Sequence, residues 1–289
     1  MSRPDILTRI HDMPPVDTEF IAGRWHHDRA TLKGLALEAR VFLKSVFVQS
    51  NSNRRFLVIG RARSGTTLLT RLLNGHSRIH CDGEVLKRSM LAPAAYFDRL
   101  AGKSDAPVYG AKLLSYQMVQ AHRMRAPDRF LRRLARSGVL LIHLERGTFF
   151  QTLSLAVAQS RRQYHSDKGA QAPKKRVWLN PQNFVDRIAW IEALLAYENA
   201  ALERLCPMTI VYERDLSDPE AQTATLDRVC ARLKLAPERI SMPLKKVLST
   251  DPSCTLENYD EIRATLNASG YGHLLPQSVS ETASGEEIP

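Results

Sequence analysis

The sequence predicts an α/β fold of three layers, in which helices cover both faces of a central parallel sheet. The first observation is a set of short apolar runs without polar alternation, which is typical of strands buried on both faces. The second is that segments with helical periodicity separate these runs, as parallel strands require. The third is a glycine-containing turn that joins the first of these strands directly to a helix.

Residues 1–50 are predicted as an N-terminal extension that carries one amphipathic helix, over residues 30–48. Leu32, Leu35, Ala39 and Phe42 recur there at helical spacing. This pattern favours a helix packed on the main domain, and a helix lying on a membrane surface is the alternative.

Residues 51–275 are predicted as the main domain, and the Ser- and Glu-rich residues 276–289 as a disordered tail. Continuous apolar runs predict strands at 56–59, 108–114, 139–144 and 208–212. Apolar residues three and four apart predict helices at 67–74, 127–136, 149–160, 181–205 and 219–233. Proline opens several of these helices, where its missing N–H costs nothing. The basic residues 163–175 are predicted to be a mobile loop.

The chain carries an excess of positive charge, which favours an anionic partner. It has 41 Lys and Arg against 30 Asp and Glu, a net charge of +11. Residues 121–176 contain 13 basic and three acidic residues, so this region holds most of the imbalance. A local anion site is therefore predicted rather than a generally basic surface. Hydrophobic residues make up 44% and charged residues 25%, which excludes a wholly disordered or collagen-like chain.

Several features favour a cytoplasmic protein. No apolar run is long enough for a membrane span, and the first 20 residues lack the apolar region of a signal peptide. The four cysteines show no CxxC spacing, which favours free thiols over disulfides or zinc. Peripheral contact with a membrane stays open, and the oligomeric state is not readable from the sequence.

The strongest motif is the turn that follows the strand at 56–59. It reads Gly60-Arg61-Ala62-Arg63-Ser64-Gly65-Thr66-Thr67 and runs straight into a helix. Backbone N–H groups of such a turn bind an anion, and the helix N-terminus adds roughly half a positive charge. Gly60 and Gly65 have the spacing of the nucleoside-triphosphate loop, but Thr66 stands where its lysine is expected. The strand at 139–144 ends in Glu145-Arg146 rather than in a magnesium-binding Asp.

This turn resembles the loop by which sulfotransferases bind the 5′-phosphosulfate of 3′-phosphoadenosine-5′-phosphosulfate (PAPS). A second signature of that family is an Arg at a strand end with a Ser eight residues later, and Arg146 and Ser154 have this spacing. The resemblance is patchy over residues 55–275 and is greatest to bacterial carbohydrate and glycolipid sulfotransferases. It includes the segments Gly83-Glu84, Tyr109 to Leu114, Val211-Tyr212-Glu213 and Leu256 to Glu261. The C-terminal Arg-Lys-Gly clamp of animal cytosolic members is missing.

The resemblance implies a P-loop sulfotransferase-like fold and transfer of a sulfuryl group from PAPS to a hydroxyl, with 3′,5′-adenosine bisphosphate (PAP) as product and no metal. It implies that the donor nucleotide contacts Arg61, Arg63, Ser64, Gly65, Thr66, Thr67, Arg146, Ser154 and Tyr212. Arg63 would stabilise the leaving group, and Lys112 would touch the transferring group or the acceptor. The implied acceptor is a carbohydrate or glycolipid, although the sequence does not identify it.

By the same resemblance, Glu84 is expected to be the general base that accepts the proton of the acceptor hydroxyl. The alternatives for this role are His76, His80, Asp82 and His143. His143 lies inside an apolar strand, which favours a buried histidine with satisfied hydrogen bonds.

Two other function classes stay open at this point. A metal-dependent P-loop kinase would bind ATP with magnesium, and the missing lysine at position 66 argues against it. A basic, non-enzymatic nucleic-acid binder would use the charge of residues 121–176. No RNA-reading or helix-turn-helix motif supports that alternative, so no specific nucleic-acid partner is expected.

Overall fold

The computed structural model describes residues 6–7, 10–11, 32–46, 54–88, 90–161, 175–240 and 251–276 of the 289. The strands are β1 (Arg54–Gly60), β2 (Ile79–Cys81), β3 (Val108–Leu114), β4 (Val139–Glu145) and β5 (Met208–Val211). The helices are α1 (Leu32–Val46), α2 (Thr66–Asn74), α3 (Pro93–Gly102), α4 (Pro127–Arg136), α5 (Thr148–Ser160), α6 (Pro181–Leu202), α7 (Tyr212–Asp215), α8 (Pro219–Arg232) and α9 (Tyr259–Ala268). A π-helical turn covers Gln117–Ala121, and 3₁₀ turns cover Pro252–Cys254 and Gly272–Leu274.

The chain divides into two compact units. The first comprises Met1–Arg146 and Ala189–Val247, and the second comprises Gly147–Ile188 and Leu248–Pro289. The first unit holds all five described strands, together with α1 to α4, the second half of α6, and α7 and α8.

The five strands form one sheet in the order β2-β3-β1-β4-β5, and every pairing in it is parallel. All seven residues of β3 are buried, as are five of the seven in β1. Such burial explains why the strands read as continuous apolar runs rather than as alternating ones. The predicted fold class, a parallel sheet covered by helices on both faces, is confirmed.

Side chains of β1 alternate between two cores, one on each face of the sheet. Leu57 and Ile59 pack with side chains of α3, α4 and α6 such as Phe97, Leu131 and Leu194. Phe56 and Val58 pack on the other face with side chains of α2 and α8. Because both cores rest on the central strand, they hold the carboxyl end of β1 firmly in place.

Gly110 in β3 is required by the ring of Phe56, its partner in the β1–β3 register. A Cβ atom at Gly110 would lie 2.0 Å from Cζ of Phe56, far inside van der Waals contact. The Phe56 ring is fully buried, so it has little room to move away.

The second unit has its own core, formed by α5, the start of α6, and α9. Leu153, Ile188, Ile262 and Leu266 are its most buried members. A parallel bridge between Val177 and Leu256 joins the segment before α6 to the segment before α9.

The predicted strands and helices lie where the structure has them, with ends that differ by up to three residues. The helix predicted over residues 181–205 ends at Leu202, and the one predicted over residues 30–48 covers Leu32–Val46. Residues 90–106 were expected to form a helical insertion, and α3 lies within them. The helices α7 and α9 and the π-helical turn were not predicted as elements. The loop at 163–174 and the tail at 277–289 lie outside the described residues.

Replacing Gly110 by alanine is expected to lower the free energy of unfolding by about 1–3 kcal/mol, because the added methyl group overpacks the contact with Phe56. Gly83→Ala is the matched control, since a Cβ there meets no atom within 4 Å. Urea unfolding monitored by circular dichroism measures both changes. Equal stability of the two variants would contradict the packing described here.

Candidate functional site

The turn between β1 and α2 has the backbone shape of an anion-binding loop. Arg63 has a φ of 65° and Gly65 a φ of 103°, both in the left-handed region. The hydroxyl of Ser64 donates a hydrogen bond of 2.8 Å to the carbonyl of Arg61, and the Ser64 N–H donates to the same oxygen. Helix α2 then begins at Thr66, so its unpaired N–H groups point out of the carboxyl edge of the sheet.

Tyr212 explains why residue 65 is a glycine. A Cβ atom at Gly65 would lie 2.5 Å from Cδ2 of Tyr212, so the ring packs directly on the loop backbone. Tyr212 begins α7 immediately after β5. The end of an outer strand therefore contacts the loop that follows the central strand.

Arg146 directly follows β4, and its side chain contacts this loop at Arg63. Its Nη1 donates a hydrogen bond of 2.8 Å to the carbonyl of Arg63, and its guanidinium lies 4.3 Å from the ring centroid of Tyr212. Its Nε is buried without a hydrogen bond in the part of the chain that the structure describes. The carboxylate of Glu213 is 3.8 Å from that Nε, an ion pair that is weak because Glu213 is 45% exposed.

Arg63 and Arg146 are two partly desolvated cations close to each other. Burial and then repulsion from Arg146 lower the pKa of Arg63. Burial also lowers the pKa of Arg146, although Tyr212 and Glu213 oppose this shift. Anionic groups bound beside them would offset both the desolvation and the repulsion. The arrangement therefore suits a phosphate or sulfate group.

Arg61 points away from this anion site and into a fully buried ion pair. Its Nη1 donates to Oε2 of Glu198 at 2.6 Å, and neither residue has accessible surface. Its Nη2 donates to the carbonyl of Arg146 at 3.3 Å. Arg61 thus ties the loop to α6 and to the end of β4.

Glu198 is the acceptor at the centre of a buried cluster. The ring Nε2 of His143 lies 3.0 Å from Oε2 of Glu198, and the hydroxyl of Ser115 donates to Oε1. Burial raises the pKa of Glu198, but Arg61, His143 and Ser115 outweigh it, so the pKa lies below its ordinary value. Nδ1 of His143 lies 3.2 Å from Glu145, so His143 is buried with both ring nitrogens near a carboxylate.

Glu84 reaches the same edge of the sheet because the segment after β2 continues along β3. The N–H of Asp82 donates to the carbonyl of Gly110, and the N–H of Lys112 donates to the carbonyl of Gly83. This places Oε1 of Glu84 3.3 Å from Nζ of Lys112. The same Nζ donates to Oγ1 of Thr67 at 3.1 Å, so Lys112 links Glu84 to the anion-binding loop.

Gln117 fixes the orientation of the Glu84 carboxylate. Its Oε1 accepts from the Leu114 N–H, so its Nε2 must face Glu84, to which it donates at 2.7 Å. The hydroxyl of Tyr116 donates to the same carboxylate oxygen at 3.3 Å. Gln117 is fully buried at the start of the π-helical turn, and such turns often occur at functional sites.

The alternative candidates for the general base, His76, His80 and Asp82, are hydrogen-bonded to other groups. Nε2 of His76 is 3.0 Å from the carbonyl of Ala236, and its Nδ1 accepts from the N–H of Arg78. His80 and Asp82 are hydrogen-bonded to each other beside Tyr109, whose hydroxyl donates to Asp82 at 2.8 Å. Burial and this hydrogen bond raise the pKa of Tyr109.

The structure therefore brings together most of the predicted site residues. Seven of them follow the carboxyl ends of strands in the first unit, the edge where ligands bind in such sheets, namely Arg63, Gly65, Thr66, Thr67, Glu84, Arg146 and Tyr212. Lys112 lies inside β3, two residues before its end, and its Nζ reaches Thr67. Ser154 is buried on the second turn of α5, in the second unit. Its pairing with Arg146 stays a prediction.

Sequence reasoning missed the residues that support the site. Glu198 gave a signal, since it is an acidic residue within an otherwise apolar part of α6. Gln117 and Ser115 gave none, because their partners are distant in sequence.

Within the described ranges, no helix is long and apolar enough to span a bilayer. Nor do those ranges contain a group of three His, Cys, Asp or Glu residues suited to hold a metal ion.

No protein-family model matches the chain, and no curated protein matches it either. Among solved structures it is similar to a sulfotransferase from Alicyclobacillus acidocaldarius, with 13% identity and a TM-score of 0.42 over 77% of this chain and 97% of the other. It is also similar to the sulfotransferase STF9 from Mycobacterium avium, with 12% identity and a TM-score of 0.46 over 93% and 91% of the two chains. At such low identity and TM-score, the site must be judged on its own geometry.

Replacing Glu198 by alanine is expected to lower the free energy of unfolding by about 3–5 kcal/mol, because Arg61 is left buried without its partner. The difference from the unsubstituted protein should shrink as the pH falls below 4.5, the ordinary pKa of glutamate. Since the folded pKa is lowered, the stabilisation is complete above that pH and disappears as Glu198 takes up a proton. Chemical denaturation at several pH values measures it. Exposed Glu257 supplies the control, Glu257→Ala, and an equal loss in both variants would contradict the assignment.

Proposed function

We propose that this chain is a PAPS-dependent sulfotransferase, which transfers a sulfuryl group to a hydroxyl of a carbohydrate or glycolipid acceptor. The observation that carries the proposal is the pair Arg63 and Arg146, two desolvated cations held together over the N-terminus of α2. Arginine suits a bidentate grip on phosphate and sulfate oxygens. The resemblance of the motifs around Arg63 and Arg146 to those of sulfotransferases supports PAPS as the ligand that carries these anionic groups.

The residues present fit a doubly phosphorylated nucleotide. The loop from Ser64 to Thr67 offers backbone N–H groups and two threonine hydroxyls for the 5′-phosphosulfate. The buried Nε of Arg146 is an unused donor beside that loop. By resemblance, Arg146 and Ser154 would hold the 3′-phosphate, which distinguishes PAPS from ATP. Tyr212 would lie near the adenine.

PAPS supplies an activated sulfuryl group whose leaving group is the 5′-phosphate of PAP. Arg63 and the loop amides would stabilise the negative charge that develops on the bridging oxygen, which is the kind of interaction that contributes most to such catalysis. Glu84 would accept the proton that the acceptor hydroxyl loses. Gln117 and Tyr116 donate hydrogen bonds to its Oε2 and so fix the orientation of the carboxylate.

Lys112 gains a specific role from its position between Glu84 and Thr67. While Glu84 is ionised, it neutralises part of the charge of Lys112. When Glu84 takes up the proton, that neutralisation ends, and the ammonium charge acts more strongly on the group held by the loop. Deprotonation of the acceptor and electrostatic stabilisation of the transferred group would thus be coupled.

Arg61 enters the proposal as a positioning residue rather than as a nucleotide contact. Its guanidinium is occupied by Glu198 and the Arg146 carbonyl, and it shapes the loop through its own backbone carbonyl.

The free thiols Cys81, Cys206, Cys230 and Cys254 support the expectation of a reducing, cytoplasmic compartment.

PAP is expected to raise the melting temperature strongly, whereas ATP with magnesium and an oligonucleotide should leave it nearly unchanged. Arg146→Ala should abolish the preference of the protein for PAP over AMP. Arg204→Ala removes an exposed arginine and should leave the preference intact. Thermal shift assays measure all of these. Stabilisation by ATP with magnesium alone would favour a kinase, and stabilisation by the oligonucleotide alone a nucleic-acid binder.

Glu84→Gln is expected to bind PAP normally and to lose about 10²–10⁴-fold in turnover, the usual contribution of a general base. Turnover is measured as PAP formation from PAPS with a panel of sugar, glycolipid and phenol acceptors. Asp105→Asn, which changes an exposed carboxylate after α3, is the control. If Glu84→Gln turns over at the normal rate, another residue is the base.

A further inference from the structure

Helix α1 exposes apolar side chains although it belongs to the packed first unit. It packs against α3, yet Phe42 is 38% and Leu43 54% exposed. Ala36 and Ala39 are exposed as well. Ala36, Ala39 and Leu43 are spaced three and four apart, so they form one stripe along the helix.

Basic side chains lie beside this apolar stripe. Arg40 and Lys44 are exposed one turn apart, and neither makes an ion pair within the described residues. A helix whose exposed side combines apolar residues with lysine and arginine has the composition of an interfacial helix.

A second basic row lies on α4. Arg129, Arg133 and Arg136 are exposed and follow one face of the helix over about 10 Å. None of the three pairs with an acidic group in the described parts of the chain, since Asp128 pairs with Arg132. Arg123 and Arg125 are exposed just before the helix. The net charge of this row is therefore not neutralised locally.

The two helices belong to the same layer of the first unit. Helix α1 packs on α3, and α3 packs on α4. Side chains of α3 and α4 share the core that covers Leu57 and Ile59. Helices α2 and α8 lie on the opposite face, with Phe56 and Val58.

We propose that these exposed residues form a surface that docks on an anionic lipid bilayer. This basic–apolar surface consists of Arg40, Phe42, Leu43, Lys44, Arg129, Arg133 and Arg136. Anionic headgroups complement its arginines and lysine, and the acyl boundary accepts Phe42 and Leu43. A duplex nucleic acid would satisfy the charges but would leave the aliphatic side chain of Leu43 in water, so the lipid surface fits better.

Co-sedimentation with vesicles tests the proposal on the full-length protein. Wild-type protein should pellet with vesicles of phosphatidylcholine and phosphatidylserine, but not with phosphatidylcholine alone, and added salt should weaken the binding. The variant Arg129→Gln/Arg133→Gln/Arg136→Gln should lose about 100-fold in partition coefficient, roughly fivefold for each arginine. Phe42→Ser/Leu43→Ser should also bind more weakly, without a change in salt dependence.

The matched control is Arg78→Gln/Arg232→Gln/Arg239→Gln, which removes the same charge from exposed positions on or beside α2 and α8. It should bind vesicles as the wild type does. Circular dichroism and thermal unfolding check that all variants keep their fold.

Two results would overturn the proposal. One is equal binding of the wild type to neutral and anionic vesicles, or no binding to either. The other is an equal loss of binding in the α4 variant and the control, which would indicate attraction by net charge alone. If the α4 variant loses binding to an oligonucleotide while the protein never binds vesicles, the partner is a nucleic acid. No arm of this experiment uses PAPS or PAP, so it can succeed or fail independently of the proposed enzyme activity.

Discussion

The buried ion pair between Arg61 and Glu198 is the interaction on which the shape of the anion site depends. Placing either charge alone in the interior would cost several kcal/mol, so the two groups must meet for the chain to fold. Arg61 also holds the carbonyl of Arg146, and Arg146 in turn holds the carbonyl of Arg63. The two arginines thus cross-link the ends of β1 and β4, and this link sets the distance between Arg63 and Arg146.

The candidate anion site at Arg63 and Arg146 is electrostatically less favourable than the buried cluster around Glu198. In the buried cluster, Arg61, His143 and Ser115 stabilise the Glu198 carboxylate by hydrogen bonds and electrostatic attraction. At the candidate site, Arg63 and Arg146 repel each other, and the carboxylate of Glu213 near Arg146 is partly exposed. Anionic groups bound to Arg63 and Arg146 would offset this repulsion, and the buried cluster holds the backbone of both residues in place.

The fold was largely predictable from the sequence, since strands buried on both faces appear as continuous apolar runs such as residues 56–59. The three-residue strand β2 carries exposed His80 between buried neighbours and is too short to show a pattern. The anion loop was predictable because its glycine spacing and helix start are local features. The direction of the Arg61 side chain was not, because it depends on Glu198, 137 residues later. The role of Gln117 likewise depends on a carboxylate 33 residues earlier.

The first residue of α2 also determines how freely this loop can change in evolution. Thr66 is buried, and its methyl group lies close enough to Gly60 that a Cβ atom there would be 3.3 Å from it. The same Cβ atom would lie 2.9 Å from the hydroxyl oxygen of Ser64. Positions 60, 64 and 66 therefore share one small space, and exchanges at these three positions are expected to depend on one another.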